Sequence, residues 1–199
     1  MQYAQMTITE RMATVVPQRI FLDTCTFQAL WECGGYVFAE DEFPLRTDYH
    51  PNRCPQVLKR ADAADVLDCL RNIFLFDERA QFDWIVSRSS LKEVDDRGDQ
   101  RASVYVRDIM DHSAICLSEN PPGEEAARMA AYLSGPKCGF RSAKDRQLLE
   151  EAATAGCKVF LTIEKRLPRV AGTVIREIPL LITTPAGLWA LLEPHLKGQ

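Results

Sequence analysis

Histidine is nearly missing from this chain: His50, His112 and His195 are the only three in 199 residues, and none forms an HxxxH pair or joins a cysteine cluster. The seven cysteines, Cys25, Cys33, Cys54, Cys69, Cys116, Cys138 and Cys157, are odd in number and contain no CxxC spacing. These absences exclude a zinc site of ordinary ligand spacing and a disulfide framework, and they predict cysteines that act as small buried hydrophobes in a reducing compartment. No run approaches the roughly 18 apolar residues of a membrane span. The opening MQYAQMTITERMATVVPQR lacks the apolar stretch of a secretory leader, so a cytoplasmic protein without membrane contact is expected. Positive charge is also short: 24 Lys+Arg stand against 28 Asp+Glu, a net charge of −4. That balance excludes nucleic-acid binding by bulk charge and leaves room only for a local basic patch. What remains, 46% hydrophobic and 26% charged residues, is the make-up of an ordinary globular chain. At this length folding buries roughly 70% of the unfolded surface, enough to stand without staples.

Arg19-Ile20-Phe21-Leu22 is a short apolar run ending at Asp23, the pattern of a buried strand that stops at a polar residue. From Trp31 to about Pro55 the chain carries Gly34, Gly35, Pro44, Pro51 and Pro55 without a clean period, which predicts an irregular excursion outside the core. Ala61 to Phe76 places Ala64, Leu67, Leu70 and Phe74, widened by Val66 and Ile73, on one helical stripe. Phe82 to Val86 is a β-branched and aromatic run, after which Ser90 and Glu93 stand at capping-box spacing. Asp99 to His112 reads as helix, Ala114 to Leu117 as a separate apolar run, and Asn120-Pro121-Pro122-Gly123 as a break before a helix over Glu124 to Leu133. Ser142 N-caps a helix running to Ala155, Gly156 ends it, and Lys158 to Thr162 follows as a strand. A strand at Ile178 to Thr183 and a helix from Pro185 to about His195 complete the pattern. Strands alternating with helices predict an α/β fold, a parallel sheet covered on both faces, in one domain.

In an open parallel sheet, ligands bind beyond the carboxyl ends of the strands. Four acids fall there: Asp23 after the first strand, Glu93 within a turn of the second, Asp145 at the start of a helix, and Glu164 after the strand ending at Thr162. Carboxylates without His or Cys are the donors that hard cations such as Mg²⁺ or Mn²⁺ require. Each acid also has a purely structural explanation. Glu93 and Asp145 sit three residues after Ser90 and Ser142 and would serve helix starts, Asp23 would be a turn or N-cap residue, and Glu164 a solvated surface charge.

The segments Phe-Leu-Asp23-Thr-Cys, Ile-Val-Ser-Arg-Ser-Ser-Leu-Lys-Glu93-Val and Lys-Asp145-Arg-Gln-Leu-Leu-Glu-Glu-Ala-Ala-Thr-Ala-Gly-Cys-Lys-Val-Phe-Leu-Thr-Ile-Glu164 together resemble the PIN-domain family of metal-dependent nucleases. The likeness runs from about Arg19 to Leu192 and is most specific between Asp145 and Glu164. It implies a three-layer α/β/α fold around a mainly parallel sheet, as a single PIN-like domain over residues 1–199 with an insertion at about 31–56. It further implies that Asp23, Glu93, Asp145 and Glu164 face one metal pocket that cuts single-stranded RNA, as an endoribonuclease. The chain departs from the family near Cys25 or Thr24, where Asn or Ser is common, and at Glu164, where Asp is common. Compact members of the family are toxins, so an antitoxin-like or other protein partner enters the expectation, as does a homo-oligomer.

A phosphodiester needs an activated water and shielding of charge on the phosphate and the leaving oxygen, which one or two divalent ions supply, spaced ~3.5–4 Å apart when paired. Thr24 and Thr162 are candidate hydroxyl positioners. Between Lys137 and Arg176 nine bases meet four acids, a net of +5 that leaves −9 for the remainder. Within it Arg141, Lys144, Lys165 and Arg166 flank the acids and are candidates to steer phosphate. Tyr36, Phe38 and Tyr49 in the insertion are placed either to stack on unpaired bases or, as the better expectation, to pack the insertion onto the domain. A haloacid-dehalogenase-like phosphatase needs a second acid where Cys25 stands, and a receiver domain needs an acidic pair that is absent. A cysteine nucleophile finds no base among the three scattered histidines. The remaining rival is a PIN-like scaffold, catalytically weak or inactive, that binds RNA or a protein partner.

Overall fold

Ile20-Phe21-Leu22 is apolar on both faces and the Arg19 before it is buried against Asp83, so the segment forms an interior strand, β1 (Arg19–Leu22). The computed structural model describes residues 16–39, 41–96, 100–135, 138, 140, 142–174 and 179–196. Among them β1 joins β2 (Asp83–Val86), β3 (Val159–Leu161) and β4 (Leu181–Thr183) in one sheet of order β2-β1-β3-β4, parallel throughout. Phe21 stands opposite Ile85 on one side and Phe160 on the other, and its ring stacks on Phe160 at 5.2 Å between centroids.

Because strand side chains alternate, β1 feeds two cores. Ile20 and Leu22 pack with α1 (Thr24–Glu32), α3 (Ala63–Ala80) and α9 (Pro185–Leu196) through Phe27, Leu30, Leu67, Leu70, Ile73, Leu188 and Leu192. Val94 of α4 (Arg88–Asp96) and Val106 of α5 (Gln100–Glu119) extend that core. Phe21 faces the opposite way, onto α6 (Glu124–Ser134), α7 (Ala143–Thr154) and α8 (Arg166–Val174), through Met129, Leu133, Leu149, Ala152, Leu167 and Ala171. The sheet is therefore covered by helices on both faces, as expected.

Several elements differ from expectation. The insertion is not wholly irregular and does not stay outside the core. Residues through Glu32 belong to α1, Gly34–Phe38 form a short helix, α2, and Cys33, Val37 and Cys54 are buried in the first core. Its aromatics pack as expected: Tyr36 meets Phe43 edge-on at 5.2 Å and lies under Arg71, and Phe38 meets Phe74 at 4.8 Å. Ala114 to Leu117 is no separate run, because α5 continues to Glu119. The helix after β2 opens at Arg88, not Ser90, since the Ser87 hydroxyl accepts from the Ser89 N–H at 2.8 Å and takes the capping role. At the end of α7, Gly156 adopts φ +71°, its N–H bonding to Ala153 O and that of Cys157 to Ala152 O, the paired closure that glycine favours.

Candidate functional site

The two strands at the middle of the sheet send their chains to opposite faces. After β1 the chain enters α1 on the first core; after β3 it enters α8 on the second. Loops that diverge this way leave a crevice beyond the strand ends. Asp23 leaves β1 into that crevice and Glu164 follows β3 into it, while the backbone N–H of Asp23 still reaches Leu161 O at 3.0 Å. Asp145 enters from the first turn of α7, where the Ser142 hydroxyl accepts its N–H at 3.2 Å. All three acids line one cavity of about 310 Å³, together with Thr24, Cys25, Gln28, Lys144 and Arg166.

Asp23 is held with care. It stands at the N-cap position of α1 with extended backbone, yet its carboxylate makes no cap bond. Instead Oδ2 accepts from Thr162 Oγ1 at 2.7 Å and from Cys25 Sγ at 2.9 Å, and Oδ1 makes no hydrogen bond among the described residues. The Cys25 thiol is pushed up to about 12 by burial first and by the Asp23 charge second, so it stays a protonated donor at neutral pH. Thr162 is 0% exposed and also accepts the Glu164 N–H at 3.1 Å, joining the loop after β3 to Asp23. Thr24 is likewise inward: its hydroxyl pairs with Ser90 at 2.9 Å and ties the start of α1 to α4. Both threonines thus position the frame of the cavity.

The cations divide by partner. Arg166 reaches Asp145 at 3.4 Å with a side chain 74% exposed, and Lys144 lines the cavity wall. Lys165, by contrast, pairs with Asp62 at 2.7 Å, where Arg60 also binds. The hydrogen bonds from Arg60 and Lys165 hold the Asp62 carboxyl well below the usual carboxylate range. Glu93 falls within α4, but its side chain lies outside the described residues, as does Arg141. Gln28, Leu148 and Leu167 also line the cavity and went unnamed, since they carry no motif that would single them out, and Cys25 was named without the role of a donor to Asp23.

The donors in the cavity are carboxylate oxygens beside a thiol kept protonated, a set that suits a hard cation in chemistry. Among the described residues no three His, Cys, Asp or Glu side chains come close enough together to hold a metal ion. The chain matches no family model, no curated protein and no solved structure, so what it does must be read from this cavity.

Proposed function

We propose that this cavity hydrolyses phosphodiesters and that the protein is a divalent-metal-dependent ribonuclease acting on single-stranded RNA, on a PIN-like scaffold. One observation carries the reading: Asp23, more than a hundred positions earlier in the chain than Asp145 and Glu164, lines one cavity with both of them at the carboxyl ends of β1 and β3. Asp23, Asp145 and Glu164 do not converge on one point as they stand, so with Glu93 on α4 they would hold Mg²⁺ or Mn²⁺ in part through water, and the ion when bound would supply an activated water and shield phosphate charge. Thr162 and Cys25 fix one oxygen of Asp23 and so set the plane of its carboxylate. Arg166 neutralises Asp145 and is placed to turn to a phosphate once that acid is engaged elsewhere, with Lys144 beside it.

A catalytically weak scaffold that binds RNA or a protein partner is the second reading. The Arg166 to Asp145 pair and the lack of three converging donors among the described residues favour it. Cleavage of single-stranded RNA by the purified protein in Mn²⁺ or Mg²⁺, abolished by chelator and by Asp145→Asn, decides for the nuclease. Equal cleavage by Asp145→Asn would contradict it, and RNA binding without cleavage would select the scaffold.

A further inference from the structure

Two consecutive cations after β3 turn to different acids. Lys165 reaches Asp62 at 2.7 Å, outside the acidic cavity, and Arg60 holds the same carboxylate at 3.0 and 3.1 Å. Arg166, the first residue of α8, lines the cavity and pairs with Asp145 at the longer distance of 3.4 Å, largely in solvent. The N-terminal end of a helix dipole disfavours a cation, so α8 itself does not account for an arginine at that position. Its acidic partner does. The three cavity carboxylates are therefore in different states. Asp23 is held by the neutral donors Thr162 and Cys25, the Glu164 carboxylate has no hydrogen bond or ion pair among the described residues, and Asp145 alone of the three is ion-paired there. An exposed pair of this kind contributes little and is readily exchanged. A divalent ion between the same carboxylates would neutralise Asp145 in place of the guanidinium and would repel Arg166. Once released, the guanidinium offers its planar fork of donors to phosphate oxygens. Each event favours the other, and such coupling between two binding free energies is reciprocal.

We propose that Arg166 is a latch on the acidic cavity: without a divalent ion it closes Asp145, and a divalent ion and a phosphodiester release it together, each binding more tightly in the presence of the other. The latch rests on the metal-dependent reading of the cavity and adds a regulation to it, since metal loading then depends on the substrate. It also gives a reason why three acids line one cavity without converging: Asp145 is turned to Arg166.

The test is a Mn²⁺ titration of the full chain, followed by the electron paramagnetic resonance signal of the free ion, alone and in excess dimethyl phosphate, a minimal phosphodiester. Arg166→Gln should bind Mn²⁺ alone about two- to fivefold more tightly than the intact chain, the range an exposed ion pair allows. Dimethyl phosphate should tighten Mn²⁺ binding by the intact chain, and by a smaller factor in Arg166→Gln. Lys165→Gln removes the same charge one residue away and should match the intact chain, because that lysine is held on Asp62. Unchanged Mn²⁺ affinity in Arg166→Gln, an equal tightening in Lys165→Gln, or the same gain from dimethyl phosphate with and without Arg166 overturns the latch. No Mn²⁺ binding by any of the three proteins overturns the metal-dependent reading and the latch with it. The expected affinities without cleavage of single-stranded RNA overturn the hydrolytic reading alone.

Discussion

Asp23 occupies an N-cap position and does no capping, a departure with a physical cost, because an Asp oxygen on the first free N–H groups of a helix is worth about 1 kcal/mol. Its carboxylate, 8% exposed, turns instead toward Thr162 and Cys25 across the crevice. Oδ2 takes both hydrogen bonds and Oδ1 is left to the cavity, which gives the carboxylate a fixed direction there. Cys25 is thereby a positioning residue. Cys25→Ser retains a donor and should keep the turnover number, whereas Cys25→Ala loses one of the two bonds on Oδ2 and should lower it about tenfold with little change in KM. Steady-state kinetics on a short RNA would show this, and an equal loss in both variants would mean that the thiol matters only for packing. Asp23 and Glu164 were readable as acids at strand ends and Asp145 as an acid at a helix start, and all three line the cavity. The inward roles of Thr24 and Thr162 were not readable, since only the fold tells which side of a threonine meets solvent.

Among the elements, α4 and α7 are bound by a polar link rather than by apolar contact. Ser87 donates to Glu151 at 2.5 Å and accepts the Ser89 N–H, while Ser89 and Gln147 reach the same carboxylate. That link sets the helix bearing Lys92 and Glu93 against the helix bearing Lys144 and Asp145. Ser87→Ala removes a cap and leaves a charged acceptor short of a donor, and should destabilise by about 1–3 kcal/mol in a denaturant titration. A change within a few tenths of a kcal/mol would mean that α4 is held by its apolar face alone. The capping site itself was misplaced in the sequence because Ser87, Ser89 and Ser90 all offer hydroxyls, and spacing alone favoured Ser90 with Glu93. The insertion was misread for a related reason. Its glycines and prolines hide a short amphipathic core strip of Cys33, Val37 and Cys54 that has no period long enough to detect.

The whole molecule follows from one topological fact: β2 and β3 flank β1, so the chain leaves the middle strands toward opposite faces and opens a crevice where acids gather. The alternation of strands and helices was readable from apolar periodicity. The convergence of the acids was not, because it depends on strand order, which local pattern does not encode. Stability at high pH is also a property of the whole. Burial pushes the thiols of Cys25, Cys33 and Cys157 up to about 12. The unfolded chain begins to ionise its thiols near pH 8.5 while the folded one does not, so their contribution is complete below that pH and is lost as pH rises toward 12. Melting temperature in reductant should fall across that window, and Cys157→Ala should flatten the fall; an unchanged slope in the variant would contradict this account. The central claim is that the crevice acids cleave a phosphodiester. It is tested most directly by incubating labelled single-stranded RNA with the intact protein and with Asp23→Asn, in Mn²⁺ and in chelator, with thermal melts of both proteins. The account predicts metal-dependent cleavage that vanishes in Asp23→Asn while its melting temperature stays the same or rises. Undiminished cleavage by a folded Asp23→Asn protein would contradict it.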